Sequence, residues 1–307
     1  MLNSFFIIDG GIGRVICAQP ALKKFIEKHG PDNLIGVSGW DGVFWGDPVL
    51  QPVTYNIDNK GVFENFIKPR NIISPEPYRL WSYYNQKKDL IKCFDEIINQ
   101  TQDHSDLKNP ELFLTKHEEL FAFNLIEDVK KQKGSDKKIV VIQPFGRSAS
   151  IQNNVLIDGS SRSLNFNDYQ KLIKKMSKFC HIFLFAEKQF FFDDDQISIK
   201  LDVGFREWFA LIEACDYFIG CDSVGQHIAR AFDKKGTVIL GSTFKENISY
   251  SDWFNIWEKP NFNKTYSPIR INSLDCMFAD RLNDKALDLN DDEFESMYSS
   301  ILKDMKV

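Results

Sequence analysis

The clearest indication of the fold lies in residues 219–229, Ile219-Gly220-Cys221-Asp222-Ser223-Val224-Gly225-Gln226-His227-Ile228-Ala229. An apolar strand ends at Cys221, Asp222 follows at its carboxyl end, and a turn of small residues opens a helix. Ligands of open α/β sheets bind at the carboxyl ends of parallel strands, and the first amides of a helix attract anions. We therefore expect the amides of Ser223 to Gly225 to bind a diphosphate, and Asp222 to accept hydrogen bonds from sugar hydroxyls. Taken alone, the same residues are also compatible with a simple helix cap.

Alternation of strand and helix continues on both sides of this stretch. Ile139 to Gln143 is a nearly continuous apolar run, which is typical of a parallel strand covered on both faces. Further strands are predicted at 181–186, 217–221 and 237–240, with helices between them. Short strands separated by helices of about 10–15 residues indicate right-handed βαβ units.

The first half of the chain follows the same pattern around a glycine-rich turn. Strands are predicted at 4–8, 34–37 and 53–57, and helices at 13–28, 82–100 and 117–133. The turn Asp9-Gly10-Gly11-Ile12-Gly13-Arg14 lies between the first strand and the first helix, where glycines let a ligand approach the backbone. Its spacing differs from GxGxxG, so a dinucleotide cofactor such as NAD is disfavoured. A tight turn with Asp9 as a helix cap is the alternative interpretation.

The length and composition predict two domains. The chain has 307 residues, of which 43% are hydrophobic and 27 are phenylalanine, so it has enough apolar side chains for two cores. The polar stretch 134–138 divides an N-terminal domain, 1–135, from a second domain, 136–285. In the last segment, 286–307, a capping-box-like start at Asn290 and Glu293 precedes an apolar stripe, which predicts a helix that packs back on the body.

Charge and cysteine usage favour a cytoplasmic protein. The formal net charge of -5 gives no general attraction to nucleic acid or to an anionic membrane. The 6 cysteines lack any CxxC spacing and several lie in apolar segments, so we expect buried, reduced thiols. The first residues lack the basic start and the apolar length of a signal peptide, and no apolar run approaches the roughly 20 residues of a membrane helix. We therefore expect a cytoplasmic location without a membrane span.

The motifs and their order resemble the heptosyltransferase-like glycosyltransferases of lipopolysaccharide assembly, which have the GT-B fold. Asp222-Ser223 and His227 match the donor-site motif of that family, although the glycine stands one place later than usual. The other matching features are the glycine turn with Gln19-Pro20-Ala21-Leu22, the strand and turn from Ile139 to Gly146, Arg162 in the place of a donor-facing lysine, and Leu240-Gly241-Ser242-Thr243. The likeness spans residues 4 to about 245.

The resemblance implies two Rossmann-like domains whose parallel sheets face each other across a cleft. It also implies a nucleoside diphosphate sugar as co-substrate, with no further cofactor. The implied donor-binding residues are Gly10, Gly11, Gly13, Arg147, Arg162, Asp222, Ser223, Val224, Gly225, His227, Thr243 and Lys245. The positive charges and amides among them would stabilise the leaving diphosphate. For His227, a phosphate contact and a structural role both remain open.

One departure from the family concerns the base that activates the acceptor. The family has an aspartate directly after the glycine turn, and this chain has Arg14 there. Without that carboxylate, Asp9 at the end of the first strand and Asp41 in the Trp40-Asp41-Gly42 loop are the nearest candidates to deprotonate the acceptor hydroxyl. Arg14 is a candidate for binding an acceptor phosphate or the leaving diphosphate.

The run Asp193-Asp194-Asp195 invites a metal-binding interpretation, because one class of glycosyltransferases binds a metal through a DxD motif. The run follows three phenylalanines and has no further ligand at convincing spacing, so a solvated acidic loop is the preferred interpretation. We therefore predict no metal site.

Three functions are open at this point. The first is sugar transfer from a nucleotide sugar to an acceptor hydroxyl, most simply in a cell-envelope saccharide. The second keeps the transferase and changes the acceptor to a hydroxymethylated base in viral DNA, with Arg14, Lys68 and Arg70 facing phosphates. The third is a nucleotide-sugar-binding protein without catalysis, suggested by the aspartate that Arg14 replaces.

Overall fold

The computed structural model divides the chain into two compact units. Unit 1 comprises Met1–Thr115 with Pro268–Ala279, and unit 2 comprises Lys116–Ser267 with Asp280–Val307. The structure describes residues 3–147, 149–153, 155–158, 160–190, 197–248, 250–264, 269–270, 277–278 and 284–307. Each unit is an α/β body with its own parallel sheet.

Unit 1 is built around four parallel strands. They are β1 (Ser4–Ile8), β2 (Leu34–Val37), β3 (Thr54–Asn56) and β4 (Asn71–Ile73), in the order β3-β2-β1-β4. The helices are α1 (Ile12–His29), α2 (Trp81–Tyr84) and α3 (Leu90–Asn99), with short 3-10 helices at Asp41–Phe44, Gln51–Val53 and Pro77–Arg79 and a π-helix at Phe63–Ile67. β1 lies inside this sheet, between β2 and β4. Its successive side chains Phe5 and Phe6 are fully buried, which agrees with the apolar run of a parallel strand covered on both faces.

Unit 2 contains a larger sheet and a hairpin. Its strands are β5 (Lys138–Gln143), β6 (Ala149–Gln152), β7 (Val155–Asp158), β8 (Cys180–Leu184), β9 (Ser198–Lys200), β10 (Tyr217–Cys221), β11 (Gly236–Leu240) and β12 (Asn255–Glu258). The helices are α4 (Lys116–Lys133), α5 (Phe166–Met176), α6 (Phe205–Ala214), α7 (Val224–Ala231) and α8 (Asp291–Met305), with 3-10 helices at Lys188–Phe190 and Asp284–Leu287. β6 and β7 form the antiparallel hairpin, and a second short pair, β13 (Ile269–Arg270) with β14 (Met277–Phe278), falls in the range of unit 1.

The strand order of unit 2 is that of the Rossmann fold. The sheet runs β12-β11-β10-β5-β8-β9, and all neighbours pair in parallel. Numbered along the chain and read from β9, this is the order 3-2-1-4-5-6 of a doubly wound sheet. Helices α5 and α8 cover one face, where Val140, Ile142, Tyr169 and Phe294 belong to one buried cluster. The prediction of an α/β protein with two Rossmann-like units is thus confirmed.

The break between the units lies closer to the N-terminus than the sequence analysis placed it. The predicted boundary at 135/136 assigns the helix at 117–133 to the first domain, whereas α4 belongs to unit 2. α4 packs against α6, and Arg206 donates two hydrogen bonds of 2.7 Å to the Glu118 carboxylate there. The polar stretch 134–138 therefore lies within unit 2 and leads from α4 into β5.

Several short elements have no predicted counterpart. The apolar pattern at 82–100 corresponds to two helices, α2 and α3, and strands β4, β6, β7, β9 and β12 are too short to leave a clear period in the sequence.

The last helix begins as predicted, since Asn290 and Glu293 exchange the two hydrogen bonds of a capping box. None of the helices that the structure describes is long and apolar enough to cross a membrane.

The cysteines of the described residues are buried free thiols, as predicted. They are Cys17, Cys93, Cys180, Cys215 and Cys221. Burial raises the pKa of the Cys180 and Cys215 thiols to about 12, so both are inert near neutral pH. Cys276 lies outside the described residues.

The buried pair between Arg206 and Glu118 gives a test of how α4 is attached. Their side chains are only 7% and 13% exposed. Arg206→Met leaves the Glu118 carboxylate without its partner, and we expect the free energy of unfolding of unit 2 to fall by about 3 kcal/mol in urea titrations. Lys188→Met is the control, because the 3.1 Å pair of Lys188 with Asp202 is 75% and 69% exposed and should leave the midpoint unchanged. If the two substitutions lower the free energy of unfolding equally, the Arg206–Glu118 pair stabilises unit 2 no more than a surface ion pair does.

Candidate functional site

The strand order of unit 2 reverses beside β5. β8 and β9 lie on one side of β5, and β10, β11 and β12 lie on the other. β5 and β10 are direct neighbours, with Gln143 paired to Gly220 at their carboxyl ends. At such a reversal the two connections leave in opposite directions, and a crevice for ligands opens outside the carboxyl ends of the strands. Asp222 and Ser223, predicted as donor-binding residues, follow β10 directly and therefore lie at this crevice.

A loop after β7 carries Arg162 to the same crevice. Asp158 organises the loop, because its carboxylate accepts hydrogen bonds from the backbone amides of Ser160 at 2.8 Å and Ser163 at 2.9 Å. The Arg162 guanidinium donates to the Ser160 hydroxyl at 3.0 Å and to the carbonyl oxygen of Asp222 at 3.2 Å. The structure thus brings together Arg162 and Asp222, which are 60 residues apart in sequence.

The end of β11 supports this loop and positions Thr243. A Cβ on Gly241 would lie 2.1 Å from the carbonyl oxygen of Ser161, so only glycine allows the two segments to approach. The next amide, of Ser242, donates to that same oxygen at 3.0 Å. Thr243 follows, and within the described residues its buried hydroxyl oxygen has no hydrogen-bond partner. Lys264 donates to the Thr243 carbonyl oxygen at 2.5 Å and fixes the backbone of the turn.

The turn between β10 and α7 is held by two glutamine side chains. The Gly225 amide donates to the Gln143 side-chain oxygen at 2.7 Å, and the Gln143 side-chain nitrogen donates to the Ser223 hydroxyl at 3.3 Å. Gln226 is fully buried, and its side-chain nitrogen donates to the Asp222 carboxylate. The Gly225 amide, which the sequence analysis assigned to a diphosphate, is therefore engaged inside unit 2. No sequence signal points to Gln143, which lies 80 residues from Ser223.

His227 lies beneath this turn. Its side chain is buried, and its Nδ1 lies 3.1 Å from the hydroxyl of Tyr250. Burial lowers the pKa of His227 to about 4, although the nearby Asp222 carboxylate acts in the opposite direction. The imidazole is therefore neutral near pH 7 and does not add positive charge to the crevice.

The two remaining predicted cations of unit 2 are exposed. Arg147 lies in the turn after β5, and Lys245 lies in the turn after β11. Both turns follow strand ends on the edge of the sheet that carries Asp222, because parallel strands all end on one edge. The donor-binding roles of both side chains stay predictions.

In unit 1, the side chain of Arg14 is enclosed by carboxylates. It is 4% exposed, its Nη2 lies 2.9 Å from the Asp9 carboxylate, and its Nη1 lies 3.2 Å from both oxygens of Glu76. Nη2 also donates to the carbonyl oxygen of Pro75 at 2.7 Å. The charge of Arg14 is thus compensated within unit 1, which weakens its interpretation as a phosphate-binding residue. Glu76 belongs to no sequence motif and lies three residues beyond the short strand β4.

The glycine turn of unit 1 has the backbone that its sequence requires. Gly10 has a φ of 92°, a conformation that favours glycine, and Gly11 is the N-cap of α1 with Gly13 in the first helical turn. Trp40 donates from its indole nitrogen to the Gly10 carbonyl oxygen at 3.1 Å, which fixes the loop after β2 against this turn. Asp41 follows as the first residue of a 3-10 helix and is half-buried. The ends of β1 and β2 therefore carry Asp9 and Asp41 on one edge of the sheet.

Glu187 is a candidate that the sequence analysis misses. It follows β8, which is the second strand of the Rossmann order, and its side chain is exposed. An acidic residue after that strand is placed to bind ribose hydroxyls in dinucleotide-binding Rossmann folds. Gln189 donates to its carboxylate at 2.7 Å. The signal lies in its position after the predicted strand at 181–186 and becomes visible only once the strand order is known.

The structure gives no test of the acidic run Asp193-Asp194-Asp195, because these residues lie outside the described part of the chain. Among the residues that are described, no three histidine, cysteine or acidic side chains form a group that could hold a metal ion.

Comparison with known proteins identifies the fold. No protein-family model and no curated protein matches the sequence. Among solved structures, the iron-containing dodecameric glycosyltransferase TibC of enterotoxigenic E. coli matches with a TM-score of 0.59 and 12% identity, over 99% of this chain and 78% of that one. A family 9 glycosyl transferase of Veillonella parvula gives 0.58 and 10%, over 83% and 85%. The ADP-heptose LPS heptosyltransferase II of E. coli gives 0.54 and 11%, over 98% and 99%. The chain therefore has the fold of the heptosyltransferase-like glycosyltransferases, as the resemblance implies.

The neutral state of His227 predicts a pH dependence of stability. The unfolded chain binds a proton on this imidazole below its ordinary pKa of 6.5, whereas the folded chain binds it only near a pKa of about 4. The stability that neutral His227 confers is therefore complete above pH 6.5 and is lost as the pH falls towards 4. Between pH 7 and pH 5 we expect the wild type to lose about 2 kcal/mol more free energy of unfolding than His227→Gln does.

Urea unfolding at pH 7, 6 and 5 measures this difference. His29→Gln, which removes an exposed histidine in place of the buried one, is the matched control. The same loss of stability in His227→Gln as in the wild type would contradict a buried neutral imidazole.

Proposed function

We propose that this chain is a glycosyltransferase that moves a sugar from a nucleoside diphosphate sugar to an acceptor hydroxyl. The observation that carries the proposal is the placement of Arg162, which donates to the Asp222 carbonyl oxygen at 3.2 Å where the strand order of unit 2 reverses. A ligand in the crevice beside β5 and β10 would meet this cation together with the Ser223 hydroxyl. The fold shared with solved glycosyltransferases over nearly the whole chain supports the same assignment.

The residues of this crevice suit a diphosphate leaving group. Negative charge grows on the diphosphate as the glycosidic bond breaks, and fixed donors stabilise that charge most effectively. Arg162 is fixed by its bonds to Ser160 and Asp222, and the Thr243 hydroxyl has no hydrogen-bond partner among the described residues. Because side-chain cations and hydroxyls meet the charge, we propose that transfer needs no metal.

The solved structures suggest which substrates to test first. One of them is named for ADP-heptose and LPS, so we propose ADP-heptose as the first donor and a cell-envelope saccharide as the first acceptor. A cytoplasmic location is part of the same proposal. Hydroxymethylated DNA is the second acceptor in the assay.

The acceptor base that we propose is Asp41. The carboxylates of Asp9 and Glu76 are both engaged by the Arg14 guanidinium. No ion pair in the described part of the chain engages Asp41, which is half-buried at the end of the neighbouring strand. A carboxylate that no cation engages keeps both oxygens for an acceptor hydroxyl, whereas those of Asp9 and Glu76 already contact the Arg14 guanidinium.

A second candidate function is binding of a nucleotide sugar without turnover. The observation that favours it is again Arg14, which stands where the family has an aspartate and occupies the neighbouring carboxylates instead of leaving them free. Release of nucleoside diphosphate from the donor separates the two candidates.

The first test is a mass-spectrometric screen of nucleotide sugars for donor hydrolysis and transfer, with and without EDTA or added Fe²⁺. We expect turnover of at least one donor, insensitive to EDTA. Arg162→Met should then weaken nucleoside diphosphate binding at least tenfold, because a hydrogen bond to a charged group contributes about 1.5–3 kcal/mol. Lys174→Met, an exposed substitution on α5, is the control and should bind as the wild type does. Binding without any turnover would favour the non-catalytic candidate, and absence of binding would contradict both.

The proposed base is tested by Asp41→Asn. Loss of a general base should lower the transfer rate by about 10²–10⁴-fold while nucleoside diphosphate affinity stays unchanged. Asp58→Asn is the matched control, because Asp58 lies after β3 and accepts a hydrogen bond of 2.6 Å from Ser38. If Asp9→Asn abolishes transfer and Asp41→Asn does not, Asp9 is the base instead.

A further inference from the structure

The turn that opens α7 is capped in an unusual way. Serine is among the preferred N-cap residues because its hydroxyl normally accepts a hydrogen bond from an amide in the first helical turn. Ser223 is the N-cap of α7, with an extended backbone at φ -154° and ψ -172°, yet its side chain makes no cap hydrogen bond. The cap is instead supplied from another strand of the sheet.

Gln143 supplies that cap. Its side-chain oxygen accepts from the Gly225 amide, the second residue of α7, at 2.7 Å. Gln143 is the last residue of β5 and only 6% exposed, so its carboxamide is held in place by the surrounding structure. A Cβ on Gly225 would lie 2.5 Å from the Gln143 side-chain oxygen and 2.6 Å from the Phe218 ring, which explains why a glycine stands at this position, one place later than in the family motif.

The orientation of the Gln143 carboxamide decides what the Ser223 hydroxyl does. Since the oxygen of the carboxamide faces the Gly225 amide, its nitrogen faces Ser223 and donates to the hydroxyl oxygen at 3.3 Å. A serine hydroxyl has one proton and two lone pairs. Gln143 occupies one of these lone pairs, so the hydroxyl proton of Ser223 points away from the Gln143 nitrogen and is oriented by this contact.

We propose that Gln143 is a positioning residue for the nucleoside diphosphate: it caps α7 in place of Ser223 and donates to the Ser223 hydroxyl oxygen, which orients the hydroxyl so that its proton is directed to a phosphate oxygen in the crevice. This inference rests on the proposed function and adds a residue that touches no substrate atom. Ser223 lies beside Asp222, whose carbonyl oxygen binds Arg162, so the hydroxyl and the guanidinium would meet the same anion.

The proposal predicts that Gln143 and Ser223 are coupled in nucleotide binding. We suggest isothermal titration calorimetry with ADP and UDP on the wild type, Ser223→Ala, Gln143→Met and the double variant, together with the melting temperature of each. Ser223→Ala should weaken binding about tenfold when Gln143 is present. In the Gln143→Met background, the same substitution should weaken binding by less than about twofold, because the hydroxyl is no longer oriented.

The melting temperatures and two further variants separate this role from a purely structural one. Gln143→Met removes the cap in both backgrounds, so its effect on melting temperature should be the same with or without Ser223→Ala. Ser223→Thr keeps a hydroxyl and should retain most of the wild-type affinity. If Gln143→Met does not fold, Gln143→Glu keeps an acceptor for the Gly225 amide but places a carboxylate oxygen where the donor to Ser223 stood, so it takes the hydroxyl proton itself. In that background too, Ser223→Ala should weaken binding by less than about twofold.

The outcomes distinguish this inference from the function on which it rests. Additive losses of affinity in the double variant, or a change in melting temperature alone, would overturn the positioning role and leave the glycosyltransferase proposal intact. If the wild type binds no nucleoside diphosphate, both proposals fail together.

Discussion

The reversal of strand order beside β5 is the constraint on which unit 2 depends. Right-handed connections place α5 on one face of the sheet and α6 and α7 on the other, so the segments after β5 and β10 diverge. The protein fills the base of the resulting crevice with its own polar side chains. Gln143 bridges the two strand ends, and the loop organised by Asp158 brings Arg162 against the Asp222 carbonyl oxygen. Charge, hydroxyl and carboxylate are thereby concentrated at one edge of the sheet.

Local sequence patterns predict many of the strands and helices but few of the contacts in this network. The runs at β5, β10 and β11 read directly as parallel strands, and the position of Asp222 after β10 follows from them. The contacts that shape the site join residues far apart in sequence: 80 for Gln143 with Ser223, 62 for Arg14 with Glu76 and 88 for Glu118 with Arg206. No periodicity encodes such pairs, which is also why the boundary between the units could not be placed from the polar stretch at 134–138.

Burial and charge pairing in the folded protein can oppose the role that a sequence motif suggests for a residue. Arg14 and His227 both read from the sequence as candidates to contact phosphate. In the structure, Arg14 is compensated by the carboxylates of Asp9 and Glu76, and burial lowers the pKa of His227 to about 4. Arg162, which the resemblance names as a donor-binding residue, lies at the strand reversal, in a loop after a hairpin that has no predicted counterpart. Burial and pairing, which the sequence does not display, decide the position and the charge that a side chain has in the folded protein.

Amide hydrogen exchange with and without ADP tests most directly whether a nucleoside diphosphate binds at the carboxyl ends of β5 and β10. Bound nucleotide should slow the exchange of loop amides at 145–147, 160–163 and 222–226, while the amides of α8 on the buried face stay nearly unchanged beyond any global stabilisation. Slower exchange confined to segments away from this edge, such as the glycine turn at 10–13 of unit 1, would contradict the account.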